Sequence, residues 1–313
     1  MLDIIVTHYD EPWETGKKFF DMLGCQRGIN FADIRVILVH DGVRKFPGPL
    51  LKGYPFKTFQ YEIPHRGVSV ARNYGLDKAT RKWVMFCDFD DTFSNVYALH
   101  GIMQHMDRDA DFMWTPFLEE YRRDGQILLK EIGENITFIH GKFYRREWLN
   151  ENGIRFPEGI DYSEDSAFGA VVNELAMKGR RGSIKAPYPA YIWCIREDSV
   201  SMKPENAERN MTGFLNRNFY VVEEFMRRNI PHERMVFRMF ADAYWAFHRA
   251  DMAFPEHEQY FIGEARKYLP DMGTVDDEVK EQIMAAARTA FIGQLKKNPE
   301  SFDEWIHRIF YCE

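Results

Sequence analysis

Three short apolar runs, Leu2–Thr7, Arg35–His40 and Trp83–Cys87, are separated by segments of helical periodicity in the first third of the chain. This alternation constrains the fold more than any other feature. Strands of this kind are covered on both faces, and they pair in parallel because a crossover helix carries the chain back to the same edge. Pro12 at a first helical turn opens a helix over Trp13–Leu23, and a second helix is expected over Val68–Ala79. The second run ends at the turn signal Asp41-Gly42, and the third runs directly into Asp88-Phe89-Asp90-Asp91. Carboxylates therefore stand at the carboxyl ends of strands, the edge of an open α/β sheet where ligands collect.

Downstream the pattern predicts helices near Asn95–Met106, Lys142–Asn150 and Ser163–Met177, a strand at Asp111–Phe117 and a last strand at Tyr188–Ile195. From Pro204 the periodicity is helical throughout: Ala207–Asn229, Glu233–Ala250, Glu256–Tyr268, Val275–Lys297 and Phe302–Tyr311. The expected division is a mostly parallel α/β domain over residues 1–203 and an all-helical region over 204–313. Neither internal repeats nor low-complexity tracts occur.

With 313 residues, 45% of them hydrophobic and 15% aromatic, the chain can bury a sizeable core, which excludes a disordered protein. The net charge of -7 argues against a general polyanion binder. Cys25, Cys87, Cys194 and Cys312 are scattered without metal-ligand spacing, which excludes a zinc site or disulfide framework and suits a reducing compartment. The Met1-Leu2-Asp3 start lacks the basic residues of a secretion signal, and no stretch approaches the ~18 apolar residues of a membrane span. The expectation is a cytoplasmic protein.

Several carboxylates packed into one turn repel each other unless a cation or hydrogen bonds compensate. Asp88-Phe89-Asp90-Asp91 therefore reads as a site for Mg2+ or Mn2+, whose shell is completed by water and phosphate oxygens. It reads equally as an acidic turn capping the next helix, with Asp91 or Ser94 as N-cap. Glu164-Asp165 carries the same ambiguity, because a helix start favours negative charge. Arg72, in the first turns of its helix, suits a phosphate or an acidic partner. His8, His40, His65 and His140 fall at or near strand ends, where a histidine packs or hydrogen-bonds more often than it ligates. Trp114, Tyr191 and Trp193 suit sugar stacking or core packing, with core the reading for Trp114.

The order of these blocks resembles the non-processive family 2 glycosyltransferases of GT-A fold. The matching blocks run from Ile4-Ile5-Val6-Thr7 and Val39-His40-Asp41-Gly42 through Gly67–Leu76 to Trp83–Asp91. They continue through Gly141–Leu149, Gly153–Gly159, Glu164–Phe168 and Arg196–Ser201. The resemblance implies that Thr7 and Asp41 hold the nucleotide base, Arg72 grips the nucleotide and Asp90 contacts the ribose. It implies Asp91 as the metal ligand, with Asp90 and Asp88 supporting it, and Asp165 as general base. Arg196 and Ser199 would lie near the diphosphate. Cys194 stands where many relatives carry a basic residue, and His65-Arg66 precede Gly67 where a small polar residue is common. No Gln-x-x-Arg-Trp block of the processive synthases is present.

The implied activity is an inverting, metal-dependent transfer from a nucleotide sugar, a UDP-sugar, to a hydroxyl of a glycan, lipid-linked saccharide or protein. Two alternatives stand beside it: transfer to hydroxymethylated nucleic-acid bases, and a non-catalytic nucleotide-sugar binder. The helical region interleaves Arg209, Arg217, Arg227, Arg228, Arg234 and Arg238 with aromatics, which suits a nucleic acid. Its nearby glutamates make a solvated helix face the plainer reading. The stripe Phe240, Tyr244, Phe247, Phe254 suits a core or a homo-dimer interface.

Overall fold

Alternate residues of the first strand are buried on opposite sides of it, Ile4 and Val6 in one core and Ile5 in another. That is the two-faced burial expected of a parallel strand inside an α/β sandwich. The structure is a computed structural model describing residues 1–133, 135, 137–194, 204–250, 254–289, 295–297 and 299–311. The chain divides into two compact units, Met1–Met202 and Lys203–Glu313.

The first unit begins with β1 (Leu2–His8), α1 (Trp13–Gly24), β2 (Ile34–Asp41), α2 (Gly48–Leu51), β3 (Lys57–Ile63), α3 (Val68–Lys78) and β4 (Trp83–Asp88). It continues with β5 (Thr92–Phe93), α4 (Ala98–Met103), β6 (Phe112–Trp114), β7 (Phe117–Arg123), β8 (Gln126–Ile132) and β9 (Lys142–Arg145). Then come α5 (Arg146–Glu151), α6 (Glu164–Lys178), β10 (Ser183–Lys185) and β11 (Tyr191–Trp193). A seven-stranded sheet runs β10-β6-β9-β4-β1-β2-β3, parallel except where β9 opposes both neighbours. The register pairs Thr7 with Asp88 and His8 with His40, which gathers the ends of β1, β2 and β4 at one edge. A smaller sheet runs β5-β11-β7-β8.

Helix α1 covers one face with Phe19, Phe20 and Leu23, and α3 covers the other with Ala71 and Leu76. A Cβ at Gly16 of α1 would lie 2.2 Å from the ring of Phe89. Only glycine there lets the acidic turn dock against the helix.

Three expectations change. Lys142–Asn150 is not one helix: Lys142-Phe143-Tyr144 is buried between β4 and β6, and the helix starts only at Arg146. Tertiary burial overrides local helix propensity at these residues. The strand at Asp111–Phe117 breaks at Thr115-Pro116, and its two parts join different sheets. Strands β3, β8 and β10 were not expected. The β7–β8 hairpin turns through Asp124 and Gly125, both at positive φ (51° and 76°), the conformation that Asp-Gly favours between paired strands.

The second unit contains α7 (Ala207–Arg227), α8 (Glu233–Phe247), α9 (Pro255–Ala265), α10 (Leu269–Met272), α11 (Asp277–Thr289) and α12 (Phe302–Tyr311). Helix α8 is buried along most of its length. Phe240 and Tyr244 lie in the core beside Phe261 and Trp305, and Phe247 and Phe254 pack against it. The helix expected over Val275–Lys297 is described only as far as Thr289, and residues 290–294 fall outside the described residues. The expected arginine face is laced with acids: Arg217 and Arg238 reach Asp242, and Arg227 and Arg228 reach Glu224.

Candidate active site

At the end of β4 the chain turns through Asp88-Phe89-Asp90-Asp91, closed by the Asp91 N–H on the Asp88 carbonyl at 3.3 Å. Asp91 points inward. Its side chain is fully buried and accepts hydrogen bonds from the Tyr191 hydroxyl at 2.6 Å and the Cys194 amide at 2.8 Å. Burial, with Asp90 and Asp88 nearby, holds the Asp91 carboxyl well above the usual carboxylate range, against the opposing effect of those two bonds. Each Asp91 oxygen takes one hydrogen bond that ties β11 to the turn and keeps a further lone pair. Its role as metal ligand stays what the resemblance implies. Asp88, with 32% of its side chain exposed, and the half-exposed Asp90 are the carboxylates of the turn that face outward.

Arg72 takes the acidic partners that were one of its two readings. It is 3% exposed, donating from Nη2 to Asp88 Oδ1 at 2.7 Å and from Nη1 to Glu164 Oε1 at 2.6 Å, with its guanidinium 5.1 Å from the Phe156 ring centre. Burial pushes Asp88 upward, but the Arg72 guanidinium more than offsets it and leaves the carboxyl below its ordinary value. Arg72 joins the acidic turn to the start of α6. Its neighbour Asn73 pins the segment before α6, donating to the Phe156 carbonyl and accepting from the Phe156 amide, both at 2.9 Å. Phe156 in turn stacks on Phe168 of α6 at 4.0 Å.

The first turn of α6 follows Ser163, whose φ of 65° swings the chain into the helix, and it carries Glu164 and Asp165. Asp165 is partly exposed, and its Oδ1 accepts the Ser166 amide at 2.7 Å. Burial and the Glu164 charge push its carboxyl up to about 7, against the pull of Arg72. A carboxyl poised there can take a proton near neutrality.

Thr7 lies partly exposed at the end of β1, register-paired with Asp88. Asp41, 4% exposed, accepts the Arg66 amide at 2.8 Å, the Gly67 amide at 3.0 Å and His65 Nδ1 at 2.9 Å. It thereby shapes the loop that enters α3. Arg196 and Ser199 lie outside the described residues.

Two buried groups lie near the site: Lys142, expected on a helix, and His140, one of the histidines expected at or near strand ends. Lys142 has no exposed surface and donates to the His140 carbonyl at 2.9 Å; burial pushes its ammonium down to about 7, against the attraction of Asp165. His140 lies between Tyr191 and Trp193, ring centres 5.4 and 5.2 Å away, and burial pushes it down to about 3, so it is neutral. Trp114 is core, as expected. Glu164 was expected only as helix-start charge, and its adjacency to Asp165 was the signal for its role.

The profile described as "Glycosyl transferase family 2" matches residues 3–157. Residues 3–157 thus form a glycosyltransferase family 2 segment, just under half of the chain. Among its relatives is the Minor teichoic acid biosynthesis protein GgaB of Bacillus subtilis (strain 168), 28% identical over 205 residues, which are 58% of this chain and 22% of GgaB. Another, the Uncharacterized glycosyltransferase EpsJ of the same organism, is 26% identical over 160 residues, covering 44% of this chain and 46% of EpsJ. The chain thus spans less than half the length of either curated relative. Among solved structures, S. aureus TarS 1-349 in complex with UDP superposes with a TM-score of 0.64 at 17% identity, covering 92% of this chain and 88% of that one. The longer TarS structure gives the same TM-score at 18% identity and covers 52% of that chain. At such identity the likeness shows the fold, which is the GT-A arrangement of these family 2 enzymes.

Hard divalent cations take oxygen ligands and often only one or two protein carboxylates, the remainder being water and phosphate. Asp88 and Asp90 fit that requirement. Among the described residues no cluster of three or more His, Cys, Asp or Glu closes around a metal position.

Proposed function

We propose that this chain is an inverting glycosyltransferase that moves a sugar from a UDP-sugar to an acceptor hydroxyl. The observation that carries the reading is the Arg72 bridge. One buried guanidinium holds Asp88 and Glu164 at 2.7 and 2.6 Å, and so brings Asp165, poised near 7, beside the acidic turn. The TarS complexes with UDP and with UDP-GlcNAc support a uridine nucleotide sugar as donor.

Asp88 and Asp90 would hold a Mg2+ or Mn2+ ion, which when bound offsets the charge of the departing diphosphate. Thr7 and Asp41, at the ends of β1 and β2, would receive the base, and Arg196 and Ser199 the diphosphate. Asp165 takes the proton of the acceptor hydroxyl as its oxygen attacks the anomeric carbon, so one displacement inverts that centre. Arg72 positions both acids and makes no contact with the sugar.

For the acceptor we propose a hydroxyl of a glycan, a lipid-linked saccharide or a protein. GgaB, named for minor teichoic acid biosynthesis, supports a teichoic-acid-type acceptor. The pairing of Arg217, Arg227, Arg228 and Arg238 with acids weighs against a nucleic-acid acceptor, which binds by displacing counterions with available cations. No described helix is long and apolar enough to cross a membrane.

The test is slow donor hydrolysis over UDP-, GDP-, TDP- and CDP-sugars, each with Mn2+, Mg2+ or EDTA, with Asp90→Asn as control. Metal-dependent release of UDP from one donor, lost in the variant, is expected. No release from any donor, together with no thermal shift by any nucleotide, would overturn the assignment.

A further inference from the structure

Where β1 and β2 end, His8 and His40 face each other with their Nδ1 atoms 2.9 Å apart. They are 5% and 0% exposed. Each ring is tied at its other nitrogen to a group that only accepts. His8 Nε2 lies 2.8 Å from the Glu11 carbonyl, and His40 Nε2 lies 2.9 Å from Gln60 Oε1. The orientation of the Gln60 amide is set by the backbone: its Oε1 accepts the Phe46 amide at 3.0 Å and its Nε2 donates to the Phe46 carbonyl at 3.1 Å. Turning it over would set donor against donor and acceptor against acceptor.

Both Nε2 atoms must therefore carry protons. Two neutral imidazoles have no further proton, and their Nδ1 lone pairs would then oppose each other at hydrogen-bond distance. Three bonds along this chain need three protons, one more than two neutral rings hold. We propose that His8 and His40 share a single extra proton between their Nδ1 atoms, and that this bond positions the donor-binding edge of the sheet. The second clause rests on the glycosyltransferase reading; the first does not.

The edge is coupled to the pair by packing. The His8 ring lies 4.6 Å from Phe46 of loop 42–47 and 4.7 Å from Phe89 of the acidic turn, and Phe46 stacks on Phe89 at 5.4 Å. The charged groups around the pair are Asp10 and Glu11 after β1, Lys45 in the loop, Glu62 on β3, and Asp88 and Asp90 on either side of Phe89. Burial opposes the extra proton and pushes His40 down to about 4; Lys45 also opposes it, while Glu11, Asp10 and Glu62 favour it. Loss of the proton opens the Nδ1–Nδ1 contact, because the two outer bonds are satisfied by neutral tautomers. The rings then part where Phe46 and Phe89 rest on them.

The deciding experiment is 15N NMR of the full chain labelled at histidine nitrogens, titrated from pH 8 to pH 4. Both Nε2 atoms should stay protonated throughout, and the two Nδ1 signals should move together with uptake of one proton. A bare Nε2 on either ring, independent titration of the two rings, or no uptake down to pH 4 overturns the shared proton. UDP affinity with Mn2+, measured over the same range for wild type and His40→Gln, tests the positioning role. Protonation should strengthen wild-type affinity relative to the variant by roughly two- to tenfold, the effect of one hydrogen bond. Parallel pH curves for the two proteins overturn positioning. Failure of both to bind UDP at every pH would instead remove the donor reading, and the NMR result would still decide the proton.

Discussion

Each unit of this protein buries an arginine–carboxylate cluster, and the two are built with opposite charge ratios. In the first unit a single guanidinium, Arg72, serves Asp88 and Glu164, with Asp165 close by. In the second, Arg217 and Arg238 both converge on Asp242, which is 2% exposed. Two cations on one buried acid, Arg238 partly exposed and Arg217 mostly buried, make a closed structural joint. One cation serves two acids in the first cluster, with the Asp165 carboxyl pushed up to about 7 beside them. Clustered acids with a raised carboxyl are the pattern we propose as the functional site.

Asp165→Asn puts the contrast between the clusters to its hardest test. Transfer should fall by a factor of about 10²–10⁴, the range for a lost general base, with UDP affinity preserved. Wild-type turnover in the variant would remove Asp165 as base. In the wild type, the rate should rise with pH through an apparent pKa near 7 and the variant should lack this limb. The same residue gives a stability test. Its folded pKa is raised above the ordinary 3.8, so its contribution is present below pH 4 and is lost as pH rises toward about 7. Asp165→Asn should therefore melt a few degrees higher than wild type at pH 8 and equally at pH 4.

Next in size is Arg72→Met, which removes the shared partner of half-buried Asp88 and of Glu164. A loss of about 3–5 kcal/mol in urea unfolding is expected, as for other broken buried pairs. Activity should fall beyond what unfolding explains, because the two acidic motifs are no longer held together. Tyr191→Phe removes one of the two donors to Asp91, and a loss of about 1–3 kcal/mol is expected. Asp242→Asn should have the smallest effect, about 1 kcal/mol, with turnover per folded molecule unchanged, since the amide oxygen still accepts a hydrogen bond from an arginine. Lost turnover there would make the second cluster more than structural.

The strand order around the site was legible because β1, β2 and β4 are buried on both faces and read as continuous apolar runs. The acidic turn and Glu164-Asp165 were legible as carboxylate clusters at element ends. Strand β9 was not, since Lys142-Phe143-Tyr144 becomes a strand only by insertion between β4 and β6. Nor was β8, whose Gln126–Ile132 run is mostly exposed and lacks clean alternation. His8 and His40 were recognisable only as histidines at strand ends; their opposition follows from the parallel register of β1 and β2.

The α/β alternation, the helical second region and the positions of carboxylates at strand and helix ends are all written in the order of the amino acids. They follow from hydrophobic period and local turn chemistry, which act over a few neighbouring residues. Which oxygens face outward is settled only when the chain has folded. Asp91 turns inward because Tyr191 and Cys194, more than ninety residues away in the chain, supply its hydrogen-bond donors. Arg72 bridges two acids because folding places Glu164 opposite Asp88. A carboxylate's role depends on the groups that surround it in space, and long-range pairing chooses those groups.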